Sequence, residues 1–228
     1  MKKHLIFLFL SFVVSPVTFA QNLVVDMIDP YAQNVSLIYG NKELSKIEGT
    51  PFFSEIWLLG TMKLKSGEVF TEVSMNYNVY NDELHIMRKD KEIVVPKKQL
   101  QAFAFELPSL CEFEKVTVGG TQKWMQKIYM GEVQVYRQYT RRLNLYDEVQ
   151  NGGYGAQKKD AFGELEDTFW VRTQEGAELK EVRMNKSTIY SLYPNQKNEI
   201  KSYMSKHKKC LKDMGQMAEL FAYCEGLQ

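Results

Sequence analysis

The chain has 228 residues, with 29 Lys and Arg against 28 Asp and Glu, three His, three Cys and a hydrophobic fraction of 44%. These values describe a folded globular protein and exclude intrinsic disorder, a collagen-like repeat and a disulfide-dense scaffold. The formal charge of +1 becomes −1 once Lys2 and Lys3 leave with the leader described next, which excludes a strongly basic nucleic-acid binder.

Residues 1–20 read as a secretory signal peptide. Lys2 and Lys3 open it, Leu5 to Val14 form its apolar stretch, and Thr18-Phe19-Ala20 is a small-x-small cleavage site before Gln21. The apolar stretch is too short for an anchor, because a spanning helix needs roughly 20 residues. No later stretch is long and apolar enough to span, and the first Cys after the cleavage site is Cys111, so no lipid is attached there. The expectation is a single exported domain, 21–228, without a transmembrane anchor, in the periplasm or, as an alternative, secreted.

From 35 to 184 the pattern is that of antiparallel β-structure. Met62 and Leu64 lead into a Ser66-Gly67 turn, and Val69 leads out. Val73, Met75, Tyr77 and Val79 alternate with Ser74, Asn76, Asn78 and Tyr80, which predicts a strand with one apolar face. A turn at Asn81-Asp82-Glu83 returns the chain through Leu84 to Arg88. Asn78 and Asn81 suit it, because Asn tolerates left-handed backbone angles and bonds its own backbone. Glu92 to Val95 ends at Pro96, which cannot donate to a central ladder. Further strands are predicted at 100–107, 116–118, 123–130 and 133–145, with Gly119-Gly120 and Gly131-Glu132 at turns. A Gly-rich surface loop is expected over 147–163, followed by a hairpin of 168–172 and 179–184 turning at Glu175-Gly176.

The tail, 185–228, changes period. A short helix is expected over 186–193. Ile200, Tyr203, Met204 and His207, then Met214, Met217, Ala218 and Phe221, each fall at i, i+3, i+4 and i+7, the stripe of an amphipathic helix. Asp213 three residues before Gln216 starts the last helix in the manner of a capping box, and Pro194 suits a first turn. The fold class is α+β: an antiparallel β-rich domain, either a sandwich or a curved open barrel-like sheet, with two or three C-terminal helices.

Several segments resemble a family of exported proteins of Bacteroidota to which no activity is assigned. They are Gly49-Thr50-Pro51-Phe52 with Gly60-Thr61-Met62, the run Met75 to Leu84, Tyr129-Met130-Gly131-Glu132-Val133 leading to Tyr136, and Leu192-Tyr193-Pro194 to Tyr203. Ala222-Tyr223-Cys224-Glu225 departs from the family pattern, which is similar to Tyr-Tyr-Asn at that place. The resemblance implies export and a shared fold, and no reaction.

Chemistry is sparse. After the leader only His85 and His207 remain, and His207 with Cys210 supplies two ligands where a catalytic zinc needs three, so no metal or cofactor is expected. No nucleophile elbow, zinc-protease helix or phosphate loop occurs. Glu164, Glu166 and Asp167 leave a carboxylate-based hydrolase open as one alternative. Trp57, Trp124 and Trp170 read as core. The odd cysteine count leaves at least one thiol unpaired. Cys210 and Cys224 are placed where two packed helices can be bridged, while three reduced thiols is the simpler reading. Two basic clusters, Arg137, Arg141 and Arg142 on a strand and Lys206, Lys208, Lys209 and Lys212 in the tail, are candidate partner contacts. Asn34-Val35-Ser36 and Asn185-Lys186-Ser187 match the glycosylation pattern and carry little weight. The leading expectation is a non-enzymatic periplasmic accessory protein that binds an envelope protein, with the outer membrane as one place for it. The second is a soluble carrier of lipid or another apolar ligand, suggested by the 13% aromatic content and the Met214 and Met217 stripe.

Overall fold

The computed structural model describes residues 38–39, 42–43, 47–106, 109–145, 159–174 and 176–227. The expected leader, the Asn34 pattern and most of the 147–163 stretch lie outside the described residues. At the end of that stretch, Ala161–Phe162 is a strand, not loop.

Ten strands form one antiparallel sheet in the order β14-β13-β10-β9-β8-β7-β3-β4-β5-β6. They are β3 (Leu58–Leu64), β4 (Val69–Asn78), β5 (Glu83–Arg88), β6 (Lys91–Val95), β7 (Leu100–Phe105), β8 (Cys111–Val118), β9 (Thr121–Met130), β10 (Gln134–Thr140), β13 (Glu166–Arg172) and β14 (Lys180–Val182). Two minimal ribbons accompany it, β1 (Ile38–Tyr39) with β2 (Lys42–Glu43) and β11 (Leu143–Asn144) with β12 (Ala161–Phe162). The sheet ends in the free edges of β6 and β14, so of the two expected forms it is the open curved sheet. Pro96 closes β6 at an edge, where its missing N–H leaves no rung of the ladder empty.

Half of this sheet buries itself by rolling up. Asp82, at positive φ in the β4–β5 turn, accepts the Tyr77 hydroxyl (2.7 Å) and the backbone N–H of Trp124 on β9 (3.2 Å). Strands β3, β7 and β8 lie between β4 and β9, so this bond fixes the curl. The space inside the curl is filled with rings. Phe103 stacks on Phe113 at 4.7 Å, Phe53 on Phe105 at 5.5 Å, and Trp124 meets Phe103 edge-on at 5.0 Å. Each such pair contributes about 0.5–1.5 kcal/mol beyond its buried area. The segment before β3 closes the open side. Phe53 N–H donates to Tyr77 C=O, Val79 N–H donates to Pro51 C=O, and Asn76 donates to the carbonyls of Ser54 and Ile56. Covered in this way, Asn76 and Asn78 are buried at 3% and 0% exposure, a correction to the exposed face that alternation assigns them. Asn78 also accepts the Asn81 N–H, as turn chemistry requires.

The other half is covered by helices. α1 (Lys186–Leu192) is capped by Asn185, whose side chain accepts Thr188 N–H. A 3₁₀ turn (Pro194–Gln196) leads into α2 (Lys197–Lys206), and α3 (Met214–Glu225) starts at Asp213, which accepts Gln216 N–H. Ile189, Ile200, Met204, Met217, Leu220 and Phe221 leave their stripes to pack on Ile128, Val133, Val135 and Val171 of the sheet. His207, the last member of the α2 stripe, is instead exposed and stacks its ring on Tyr203 at 4.2 Å. Glu225 ties the tail to the β9–β10 turn, accepting Tyr129 O–H at 2.7 Å and Val133 N–H at 2.8 Å. Glycine at 131 lets this contact form, because a Cβ there would meet Glu225 Oε2 and the Tyr129 ring and make those side chains shift. Among the described residues no helix is long and apolar enough to cross a membrane.

Candidate functional site

The inner face of β9 reads Trp124, Gln126, Ile128, and that of β10 reads Val135, Arg137, Tyr139. Trp124 and Tyr139 belong to the aromatic core of the curl, whereas Ile128 and Val135 belong to the core under the helices. Gln126 and Arg137 therefore occupy the seam, and the ladder pairs them directly across β9 and β10. The row continues to Phe113 on one side and Phe169 on the other. Polar side chains on an otherwise apolar inner face are the informative exception to burial rules.

A cleft of about 650 Å³ opens at this seam. Phe53, Leu58, Phe105, Ile128 and Tyr139 form its apolar walls, and Met214, Gly215 and Ala218 bring the first turns of α3 to it. Ile56 and Leu110 stand at its rim with 67% and 66% of their surface exposed. Arg137 donates Nε–H to Asp167 Oδ2 at 2.9 Å, and its guanidinium lies over the rings of Tyr139 (4.8 Å) and Phe169 (5.6 Å). Gln126 Oε1 accepts the Tyr139 hydroxyl at 2.7 Å. No carboxylate and no histidine is among the described residues lining the cleft.

Cys111 also lines it, but burial pushes its thiol up to about 12, against a smaller opposite pull from Arg137. A thiol so protonated at neutral pH is a wall atom, not a nucleophile. Among the described residues all three cysteines are free and buried, and the pair Cys210 and Cys224 belongs to the helical core.

The basic residues predicted as partner contacts part company in the fold. Arg137 turns inward to the seam. Arg141 donates to the carbonyls of Phe52 (3.0 Å) and Gly163 (2.7 Å), fastening the β11–β12 ribbon to the segment that closes the curl. Arg142 is exposed beside Glu166 at 3.4 Å. Lys206, Lys208, Lys209 and Lys212 are all exposed around the α2–α3 connection, outside the cleft lining. Of the acids considered for hydrolysis, Asp167 holds Arg137, while Glu166 pairs with Arg142 on the surface. Trp124 is core and Trp57 and Trp170 are half-buried.

His85 is fully buried in β5, edge-on to Phe52 at 5.2 Å. Its Nδ1 meets Glu92 at 2.5 Å and its Nε2 lies 3.7 Å from Glu83. Burial by itself lowers the pKa of this ring, but the Glu83 and Glu92 carboxylates outweigh it and the net direction is upward. No group of three or more His, Cys, Asp or Glu suited to hold a metal occurs among the described residues.

Gln126 and Leu58 escape a reading of motifs, since neither carries reactive chemistry, whereas Met214 of α3, which lines the cleft, belongs to the stripe read in the sequence. The available signal is the alternation itself: a Gln between Trp124 and Ile128, and an Arg between Val135 and Tyr139, each on the apolar side of its strand. Comparison with family models, with curated proteins and with solved structures returns no match to this chain.

Proposed function

We propose that the protein is a binding protein of the periplasm that holds an apolar or amphipathic guest in the seam cleft. The observation that carries this reading is the cleft itself, about 650 Å³ with mainly apolar walls, at the junction of two separately packed cores. Its size falls within the roughly 300–1,000 Å³ of small-molecule sites. Binding is favoured over hydrolysis because the described lining offers neither a carboxylate pair nor a base beside a nucleophile.

The test is uptake of a neutral fluorescent apolar probe, N-phenyl-1-naphthylamine, by the purified mature chain. Saturable uptake is expected. Ala218→Trp, which pushes an indole into the cleft from α3, weakens it at least tenfold with an unchanged melting curve. Absence of saturable uptake by the wild type overturns the reading.

The accessory role that the sequence favours first, contact with an envelope protein, survives as a second reading through one observation. Ile56 and Leu110 both expose large apolar side chains at the rim of the same cleft, as a docking surface does. A photo-crosslinker placed at residue 56 or 110 in cells yields a discrete protein adduct under this reading, and none if the rim contacts only solvent.

A further inference from the structure

Resting on the reading of the cleft as a binding site, we propose that its guest is a single-chain amphiphile with a carboxylate head, and that Arg137 and Gln126 hold that head. The argument begins with donors and acceptors. Asp167 occupies Arg137 Nε–H, the Tyr139 hydroxyl interacts with the guanidinium as well, and no carboxylate or carbonyl among the described residues takes a hydrogen bond from the two Nη nitrogens. Tyr139 O–H occupies Gln126 Oε1, and the amide nitrogen of that side chain has no partner among the described residues. Gln126 is 94% buried, with 6% exposure, and lines the cleft. What the seam leaves open are therefore N–H groups, and what they donate to is a group rich in oxygen lone pairs.

The guanidinium is also prepared for such a group. Asp167 holds one edge of its plane, and Cζ lies within 4.8 Å of the Tyr139 ring and 5.6 Å of the Phe169 ring, so the Nη–H fork loses little freedom on binding. A planar fork matches a carboxylate in two parallel bonds. Charge decides against a phosphomonoester, whose roughly doubled charge would meet one guanidinium already shared with Asp167. Lys127, the other cation on the lining, is engaged by Glu112 at 3.0 Å. The remainder of the guest is mainly apolar, because Phe53, Ile56, Leu58, Leu110, Met214 and Ala218 make up much of the remaining wall, with Ser54 and Ser109 as small polar members. A volume of about 650 Å³ suits one hydrocarbon chain.

Displacement of N-phenyl-1-naphthylamine by palmitate, by its methyl ester and by hexadecanol separates the head from the chain. The expected result is that palmitate competes at least tenfold more strongly than either neutral analogue. In Arg137→Gln the ratio of acid to ester competition, measured within the variant, falls toward one. Equal competition by all three in the wild type overturns the carboxylate assignment and leaves the cleft reading standing. Persistence of the preference in Arg137→Gln overturns the role given to the guanidinium. Failure of the probe itself to bind the wild type removes the cleft reading, and this proposal with it. The acid-against-ester comparison needs no variant, so a poorly folding Arg137→Gln does not protect the proposal.

Discussion

The two halves of the molecule solve the same problem with different residues. Among the described residues no helix packs on the curl of β3 to β8, and its interior is filled largely with rings, Tyr77, Phe103, Phe105 and Phe113 among them. The half built on β9, β10, β13 and β14 is covered by three helices, whose aliphatic, Met and Cys side chains surround the rings of Tyr193 and Phe221. A sheet that rolls on itself leaves a wide interior that large flat side chains fill at low entropy cost, whereas helix stripes supply their own bulk. Two such cores do not merge where β9 and β10 pass from one to the other. The cleft is a by-product of that change of packing mode, and Arg137 and Gln126 are the polar residues placed in it.

The largest test of this division removes a ring from each half. Phe113 packs against Phe53, Tyr77, Phe103, Phe105 and Tyr139, and Phe113→Ala is expected to cost about 3–5 kcal/mol by denaturant unfolding. Phe221→Ala is expected to cost a similar amount, since Phe221 is fully buried between Tyr129 and Tyr193. Hydrogen exchange tells the halves apart. Phe113→Ala should lose protection in β3 to β8, and Phe221→Ala in α1 to α3 and β14. Uniform loss in both variants would show that the two cores unfold as one unit.

A smaller effect is expected from Glu225→Ala, which strips the acceptor from Tyr129 O–H and Val133 N–H and frees the tail from the sheet. Hydrogen bonds to a charged group contribute about 1.5–3 kcal/mol each where buried, and partial exposure of Glu225 reduces the loss to about 2 kcal/mol in total. The exchange protection of α3 reports it, with β3 to β6 unchanged. Asp213→Ala should cost about 1 kcal/mol, as a lost N-cap does, and it loosens the end of α3 that borders the cleft.

The smallest is a pH effect confined to the curl. The folded pKa of His85 lies above its unfolded value, so its contribution to stability is complete below the unfolded pKa near 6.5 and is lost as pH rises through the folded value. The melting temperature should therefore drift down as pH rises from that point. In His85→Gln the drift disappears, and its persistence would assign it to another group.

The elements of both halves were legible in the sequence because alternation and helical stripes are local. Val73 to Arg88 and Met214 to Phe221 could be read without knowing what they pack on. The cleft was not legible, because period tells which side chains share a face and not where one core stops and the next begins. Arg137 shows the limit. Counted with Arg141 and Arg142 it looks like a basic surface, yet those three point to a seam, to two backbone carbonyls and to solvent. Asn76 shows the converse, since a segment some twenty residues earlier in the chain covers the face that alternation leaves open.

Strand order carries a kinetic consequence. Nearly every pairing in the sheet joins strands adjacent in the chain, and such hairpins close over short distances on the order of microseconds. The exceptions are β3 with β7 and β10 with β13. The first must bring Leu64 to Leu100 across a finished three-strand excursion, after β4, β5 and β6 have turned back on themselves. Loop-closure entropy is paid there before the rings of the curl come together, which makes this junction the expected bottleneck of refolding. A permutant that opens the chain between β6 and β7 leaves every hairpin intact and puts β7 at the start of the chain, so β3 must reach it across all the strands and helices between, and its folding rate reads the cost of that closure.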